Sequence, residues 1–341
     1  MQLPRVSFII VAYNAEPFLP ALLSDLAAQS YPQDRIQAVL VDSASVDGTR
    51  AVMERFASMQ DEMQVLVLDN PATWLASGIN VALRACTGEC IVRMDAHARI
   101  PCDFVRANIE EMLAHDEAIV GGCVSGLTPE TSWQTVMTAL DTSRFGGGAA
   151  AFRNRGDARY VDTLAYAMYR REVFERVGEY DERLRRTEDN EMHYRMRCAG
   201  YRFYFSPRVH SMHMARPTLK GQLRQKWGNG LWVGRTMGIS PRCFALRHFI
   251  PATFVLALAV GAALAWAGVA SWPLLMLAVM YALADAFFTL KAAAGAPRAK
   301  ALCLLCLPWC FFLLHMSYGA GMLCGLLGAP GMRRKPRNAG K

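Results

Sequence analysis

The chain has 341 residues, of which 53% are hydrophobic and 19% charged, with a formal net charge of +8. This length holds one large α/β domain and an appendage, and the apolar excess over a typical soluble domain lies almost entirely after residue 248. Between Glu191 and the C-terminus the only acidic residue is Asp285; because this basic stretch runs straight into apolar segments, it points to an anionic membrane surface and phosphate-bearing substrates and argues against nucleic acid.

The first 130 residues alternate short apolar, β-branched runs with helical patterns, the signature of a mostly parallel sheet covered by helices. The runs fall at 6–11, 38–41, 65–68, 90–94 and 118–124. Between the first two, Phe18, Leu19, Leu22, Leu23 and Leu26 repeat at the spacing of an amphipathic crossover helix. The opening MQLPRVSFIIVAYN lacks the basic region, apolar stretch and small-residue cleavage site of a signal peptide, so the polar part is expected in the cytoplasm. Cys86, Cys90, Cys102, Cys123 and Cys198 show no metal or disulfide spacing, which fits reduced thiols there.

Residues 141–160, with Gly146, Gly147, Gly148 and Gly156, read either as a mobile loop near a site or as a surface connection. Val173, Phe174 and Val177 open a short helix, and 188–198 form another entered from a polar turn. From Phe249 to Ala284 no residue is charged. As one helix that run would reach about 54 Å against a hydrocarbon core of about 30 Å. It must therefore turn, at Ser271, Trp272 and Pro273, giving spans near 249–269 and 273–290, followed by a basic loop of Lys291, Arg298 and Lys300 expected on the cytoplasmic side. A third apolar stretch begins at 301 and includes Cys303, Cys306 and Cys310, read as small membrane-embedded side chains rather than a zinc or redox site. A simple third span at 301–323 would carry Arg333, Arg334, Lys335 and Arg337 outside, so a re-entrant or hairpin path through Pro308, His315, Gly319 and Gly321 is expected instead.

The strand ends carry the candidate chemistry. The first ends in Val11, Ala12, Tyr13 and Asn14 with no G-x-G-x-x-G after it, which argues against a dinucleotide fold of the dehydrogenase type, and an aromatic there can stack on a base. The second ends at Asp42, placed where ligands bind in open α/β sheets, whereas Asp47 precedes a helix and is read as its cap. The fourth ends in Arg93, Met94, Asp95, Ala96 and His97. Asp95 and His97 face one side of an extended chain and can share a divalent ion that stabilises a leaving diphosphate, or else serve as a helix cap and a solvated His. Arg186 to Glu191 sets three carboxylates at the opening of a helix; Glu188 and Glu191 suit the helix dipole equally well, while Asp189 is read as a general base.

In this order the segments SFIIVAYNAEPFL, VLVDSASVDGT, VRMDAHARIP, YRREVFERVGEYDERL and TEDNEMHYRMRCAGY resemble the family 2 inverting glycosyltransferases of GT-A fold. MDAH and LRQKWGNG are most similar to bacterial exopolysaccharide enzymes of the succinoglycan-biosynthesis type, and the resemblance spans roughly residues 5–240. It implies an α/β fold with a Rossmann-like mixed sheet over residues 1–245, in which 208–247 form a basic membrane-interface segment. Transmembrane helices over 248–330 and a basic tail at 331–341 would follow. The implied activity is transfer of a sugar, with inversion, from a nucleotide-sugar donor such as a UDP-hexose to an acceptor linked to polyprenyl diphosphate at the inner membrane, on its cytoplasmic face. A polyprenyl-phosphate sugar synthase is the alternative within enzymes, and a non-catalytic nucleotide-sugar-binding assembly component the alternative outside them.

By the same resemblance Tyr13 and Asp42 bind the nucleoside of the donor, Asp95 its ribose and diphosphate region, His97 a divalent cation together with Asp95, and Asp189 is the base; Asn80 is a further candidate for binding the donor. The family's usual D-x-D is D-x-H here, which favours Mn2+ over Mg2+. Where processive relatives carry Q-x-x-R-W this chain has Leu223, Arg224, Gln225, Lys226 and Trp227, so one sugar per encounter is expected. Glu188, Arg224, Lys226 and Trp227 are candidates for holding acceptor or phosphate, the last three alternatively forming an interfacial amphipathic segment.

Overall fold

The computed structural model describes residues 3–147, 150–153 and 156–329; Gly148 and the basic tail lie outside the described residues. The chain divides into two compact units, residues 1–126 with 150–214 and residues 127–149 with 215–341.

Among the described residues the first unit contains nine strands: β1 (Val6–Ala12), β2 (Ile36–Asp42), β3 (Gln64–Asp69), β4 (Cys90–Asp95), β5 (Ala98–Arg99), β6 (Ile119–Gly126), β7 (Arg159–Val161), β8 (Met168–Arg170) and β9 (Phe203–His213). They form one mixed sheet in the order 3-2-1-4-8-6-9-5, with β7 beside β9. β1 to β4 are parallel. The run from β1 to β2 and β4 is buried on both faces, and for that reason reads in sequence as continuous apolar stretches rather than an alternation. Crossover helices α1 (Leu19–Ala27), α2 (Thr49–Ser58), α3 (Leu75–Ala85) and α4 (Phe104–Ala114) cover the faces. The helix expected at 18–26 is α1, which has no side-chain cap but carries Pro20 as its second residue, where a fixed φ suits the first turn. Two apolar layers result, one around Phe8, Ile10, Leu22 and Phe104 and the other around Ile9, Val39, Ile79, Met192 and Phe205.

β6 and β9 pair in parallel with a register shift between Gly121 and Cys123. Gly122 sits at that shift against the Val209 carbonyl, where a Cβ would collide, so the bulge depends on this residue being glycine. The remaining helices are α5 (Ser132–Thr142), α6 (Arg171–Val177), α7 (Glu188–Cys198), α8 (Leu219–Thr236), α9 (Ile250–Trp266), α10 (Trp272–Ala294) and α11 (Lys300–Gly328). α6 and α7 complete the first unit.

The second unit is helical: α5 and α8 to α11. The division between units thus falls elsewhere than at residue 245, because α5 and α8 pack their apolar faces on the C-terminal helices; Val136, Met137, Leu140, Leu219 and Leu223 share one core with Cys303, Leu307 and Phe311. The expected turn at Ser271 and Trp272 separates α9 from α10. The expected fold-back within the third apolar stretch is corrected: α11 is one continuous helix of 29 residues that includes Pro308. Cys303 and Cys310 are buried in its core, and among the described residues no two cysteines form a disulfide. By length and composition α10 and a stretch from Pro297 to Gly328 suffice to cross a membrane, while α9 is shorter.

Candidate active site

β1 has β2 on one side and β4 on the other, with Ala12 level with Asp42 and Val11 level with Asp95. The two carboxylates therefore flank the end of β1 two strand spacings apart, about 10 Å. This is the point where the order of connection reverses, and in open α/β sheets it is where ligands bind. Asp42 is buried and turns back to accept from the Ser45 backbone N–H at 3.3 Å. Tyr13 is 60% exposed, an unused aromatic face beside it.

The loops after β1 and β2 are stapled to one another. Asn14 N–H donates to Ser45 Oγ at 3.0 Å and Asn14 Oδ1 accepts from Val46 N–H at 2.9 Å. Ala15 N–H donates to Thr49 Oγ1 at 2.8 Å, and Asp47 accepts from Glu16 N–H at 3.2 Å and from Thr49 N–H at 3.1 Å. Asp47 thus ties the two loops together, and the cap position expected of it is held by Gly48, with no side-chain cap. Asn14 and Ala44 adopt positive φ, 48° and 59°, so this rim is held in a conformation that its residue types do not favour.

At the end of β4 the Arg93 guanidinium spans two carboxylates. Nη2 donates to Asp95 Oδ1 at 3.0 Å and Nη1 to Asp189 Oδ2 at 2.5 Å. Asp95 Oδ2 accepts from the Tyr166 hydroxyl at 3.0 Å, with Tyr166 held at φ 54°. The network is open on one side: the side chains of Asp95 and Asp189 are 30% and 38% exposed. Burial acts to raise the Asp95 carboxyl, yet Arg93, His97, His213 and Tyr166 together outweigh it and hold the group below the usual carboxylate range. Glu188, which precedes Asp189, has the opposite fate. It is buried, with no hydrogen-bond partner for Oε2 among the described residues, and burial together with the charge of Asp189 pushes its carboxyl up to about 7.

α7 carries Asp189 in its first turn and is locked from below by His193, whose Nδ1 meets Thr163 Oγ1 at 2.7 Å and Nε2 meets the Tyr169 hydroxyl at 3.0 Å. Burial lowers this imidazole to about 4, so it is a neutral strut. Glu191, buried and bonded by both oxygens to Arg195 at 2.9 Å, ties the same helix to the 177–179 turn through Arg195.

Pairing of Ala98 with His213 sets the His97 and His213 rings edge to face, centroids 5.0 Å apart, with both histidines near enough to Asp95 to favour its charged form. Among the described residues no three acidic, His or Cys side chains are gathered at coordinating distance. Asp95, His97 and His213 are nevertheless of the donor types that divalent cations accept.

The structure therefore brings Asp95, His97, Glu188 and Asp189 together at one end of the sheet and sets Tyr13 and Asp42 at the neighbouring strand ends. It corrects Asn80: this side chain is 1% exposed, donates to the Tyr180 carbonyl and Glu182 Oε1 at 3.0 Å each and accepts from Tyr180 N–H at 2.8 Å, so it is a buried staple between α3 and the turn leading to α7. Arg224, Lys226 and Trp227 lie in the other unit, on α8. Sequence reading missed Arg93, Tyr166 and His213. Arg93 was detectable, since it shares strand parity with Asp95 and His97; the other two come from distant segments with no local signal.

The sequence profile described as glycosyl transferase family 2 matches residues 7–178, just over half of the chain. The succinoglycan biosynthesis protein ExoA of Rhizobium meliloti is 28% identical over 261 residues, 75% of this chain and 77% of that one. A Methanococcus voltae enzyme named as a glucuronosyltransferase acting on dolichyl N-acetyl-glucosaminyl phosphate is 22% identical over 235 residues, 67% of this chain and 73% of its own. Among solved structures, a mannosyltransferase from Pyrobaculum calidifontis in complex with GDP-Man and Mn2+ superposes with a TM-score of 0.58 at 23% identity, over 96% of this chain and 88% of that one. This likeness matches the mixed sheet to the GT-A fold.

Proposed function

The chain belongs to glycosyl transferase family 2, and we propose that it transfers a hexose from a UDP-sugar to a lipid-linked saccharide during assembly of an exopolysaccharide or related surface glycan. Family membership makes it a glycosyltransferase that uses a nucleotide-sugar donor with inversion. In our reading Tyr13 stacks on the base, Asp42 accepts hydrogen bonds from the nucleoside, and Asp95 faces the ribose and diphosphate. The spacing of about 10 Å between Asp42 and Asp95 suits the length of a nucleoside diphosphate.

Inverting displacement needs one carboxylate to take the acceptor hydroxyl proton while the diphosphate leaves on the opposite face of the sugar. Asp189 is our choice. Its Oδ2 is fixed by Arg93, and Oδ1 accepts no hydrogen bond from the described residues. Glu188, pushed up to about 7 and buried, is the poorer base because it has no fixed orientation toward solvent. Asp95, His97 and His213 would hold a divalent cation, which when bound neutralises charge developing on the departing diphosphate. The single observation that carries the reading is the Arg93 bridge: one guanidinium sets the diphosphate end and the base in a fixed relation.

A lipid-linked acceptor is supported by the named acceptor of the Methanococcus voltae relative and by the apolar helices that follow the catalytic unit. The position of the basic residues around those helices supports catalysis on the cytoplasmic face. The absence of the Q-x-x-R-W pattern at 223–227 supports one sugar per encounter. The test is a panel of UDP- and GDP-sugars given to the full chain in membrane extract, reading nucleotide release and label in the lipid fraction. Release from a UDP-hexose that depends on the lipid fraction is expected. Turnover with GDP-sugars alone, or label only in water-soluble product, would overturn the donor or the acceptor assignment respectively.

A further inference from the structure

We infer that the membrane is entered only by α9 and α10, as a two-helix hairpin, and that α11 lies in the plane of the surface from which the hairpin descends. This rests on the membrane part of the reading above and goes further by assigning each helix its depth.

α11 cannot be separated from α8. The two run side by side with their backbones in contact: Ser317 Oγ donates to the Leu223 carbonyl at 2.8 Å, and Gly230, Gly234, Gly321 and Gly325 sit at the crossing points. A Cβ on Gly321 would stand 2.5 Å from the Trp227 carbonyl oxygen, and one on Gly234 2.6 Å from Leu326 N. The contact continues to Gly238 against the Ala329 carbonyl. Small residues here permit an approach that larger ones would forbid. Wherever the second half of α11 goes, α8 follows, and α8 carries Lys220, Arg224, Lys226 and Arg235. The first half of α11 is held to α5 by apolar side chains, Val136, Met137 and Leu140 against Cys303, Leu307 and Phe311. A transmembrane α11 would drag these polar helices into hydrocarbon, where each cation is strongly disfavoured.

The exposed apolar surface follows the same division. On α11, where nine residues are buried, the exposed large apolar side chains are Leu304, Leu305, Trp309 and Leu313 toward one end and Leu326 and Leu327 at the other, leaving one side of the helix for an interface. On α9 and α10 fewer positions are covered, Ala252 and Gly261 on the first and Asp285, Thr289 and Ala293 on the second, and Leu256, Val260, Leu275, Val279 and Leu283 are all at least half exposed. Length agrees. The 17 and 23 residues of α9 and α10 give about 25 and 34 Å, close to a hydrocarbon core of about 30 Å, while the 29 residues of α11 give about 44 Å.

Trp266 and Trp272 flank the uncharged tip of the hairpin. Arg247, His248, Lys291, Arg298 and Lys300 stand at its base, complementary to anionic headgroups. Two crossings return the chain to the side it left, so α11 begins and ends on the side of α8.

The test places spin labels on the full chain in proteoliposomes containing anionic lipid, with exposed Cys102, Cys198 and Cys324 changed to Ser. Labels go at Val279→Cys on α10 and at Leu305→Cys, Leu313→Cys and Leu327→Cys on α11. Depth is read from collisions with oxygen against a water-soluble nickel chelate. Position 279 should be deep, and 305, 313 and 327 should share one shallow depth. A deep 313 between two shallow positions would show that α11 spans, and a water-exposed 279 would show that the hairpin is not inserted; either overturns the inference. If the Ser background fails to fold, native Cys324 serves in right-side-out and inverted vesicles. A membrane-impermeant maleimide should reach it from the same face as Cys102, and reaction only from the opposite face overturns the inference. Donor turnover is measured on the same samples. The depths can stand while lipid transfer fails, and the reverse, so the two readings fail separately.

Discussion

Arg93 and Asp189 are paired at 2.5 Å although 96 residues separate them in the chain. The same guanidinium holds Asp95, so the residue that links the two ends of the proposed reaction is neither the base nor a cation ligand. Arg93→Lys retains a positive charge but cannot span both carboxylates, because an ammonium lacks the planar fork. Turnover should fall by about 100-fold, the usual effect of a misplaced catalytic group, with KM for the donor changed far less. A variant with near wild-type turnover would remove the bridge from the mechanism.

Asp189→Asn removes the base and preserves size. Transfer should drop by about two to four orders of magnitude while donor binding, read by calorimetry, is nearly unchanged. Glu191→Gln is the companion variant. Because Glu191 is buried against Arg195, its loss should lower the melting temperature and leave kcat largely intact. A dead Glu191→Gln beside an active Asp189→Asn would mean that the base has been assigned to the wrong carboxylate.

Chelator should abolish activity, and Mn2+ should restore it better than Mg2+. His213→Ala should raise the Mn2+ concentration needed for half-activity much as His97→Ala does, since the two rings stand together beside Asp95. Full activity in EDTA would exclude a metal requirement, and an unshifted Mn2+ titration in His213→Ala would leave that residue without the role given to it.

Glu188 makes stability depend on pH in a definite direction. Its carboxyl is raised to about 7 in the folded chain against an ordinary value of 4.5, so between these pH values the folded state binds more protons than the unfolded one. Stability from this group is therefore present below about pH 4.5 and is lost as pH rises through about 7. Glu188→Gln should flatten this slope and raise the melting temperature at pH 8 relative to wild type. Parallel slopes for the two proteins across pH 5–8 would show that Glu188 is ionised in the fold.

Asn80→Ala should cost about 1–3 kcal/mol, the penalty for leaving the Tyr180 backbone groups unpaired in a buried place. Urea unfolding measures it. Donor affinity measured on the folded fraction should be unchanged; a loss of affinity without loss of stability would return Asn80 to the donor site.

The strand ends were legible because a parallel sheet buried on both faces writes its core as uninterrupted apolar runs, and a polar residue closes each run at the carboxyl edge of the sheet: Tyr13, Asp42, Asp95. The opening of α7 was legible because three carboxylates in one first turn exceed what a helix dipole needs. Sequence could not show what a polar side chain meets across the fold. Asn80 and Asp42 are equally plausible donor ligands by type, and only the arrival of Tyr180 and Glu182 beside one of them decides that it is a staple. Tyr166 and His213 reach Asp95 from segments 71 and more residues away, by pairings that no local pattern encodes. The same holds for the apolar C-terminal helices. Hydropathy measures what a segment would do alone in lipid, and so it determined that α9, α10 and α11 are apolar. Which of them is covered depends on glycines of α8 and α11 meeting backbone to backbone, a property of two segments in contact that belongs to neither sequence by itself.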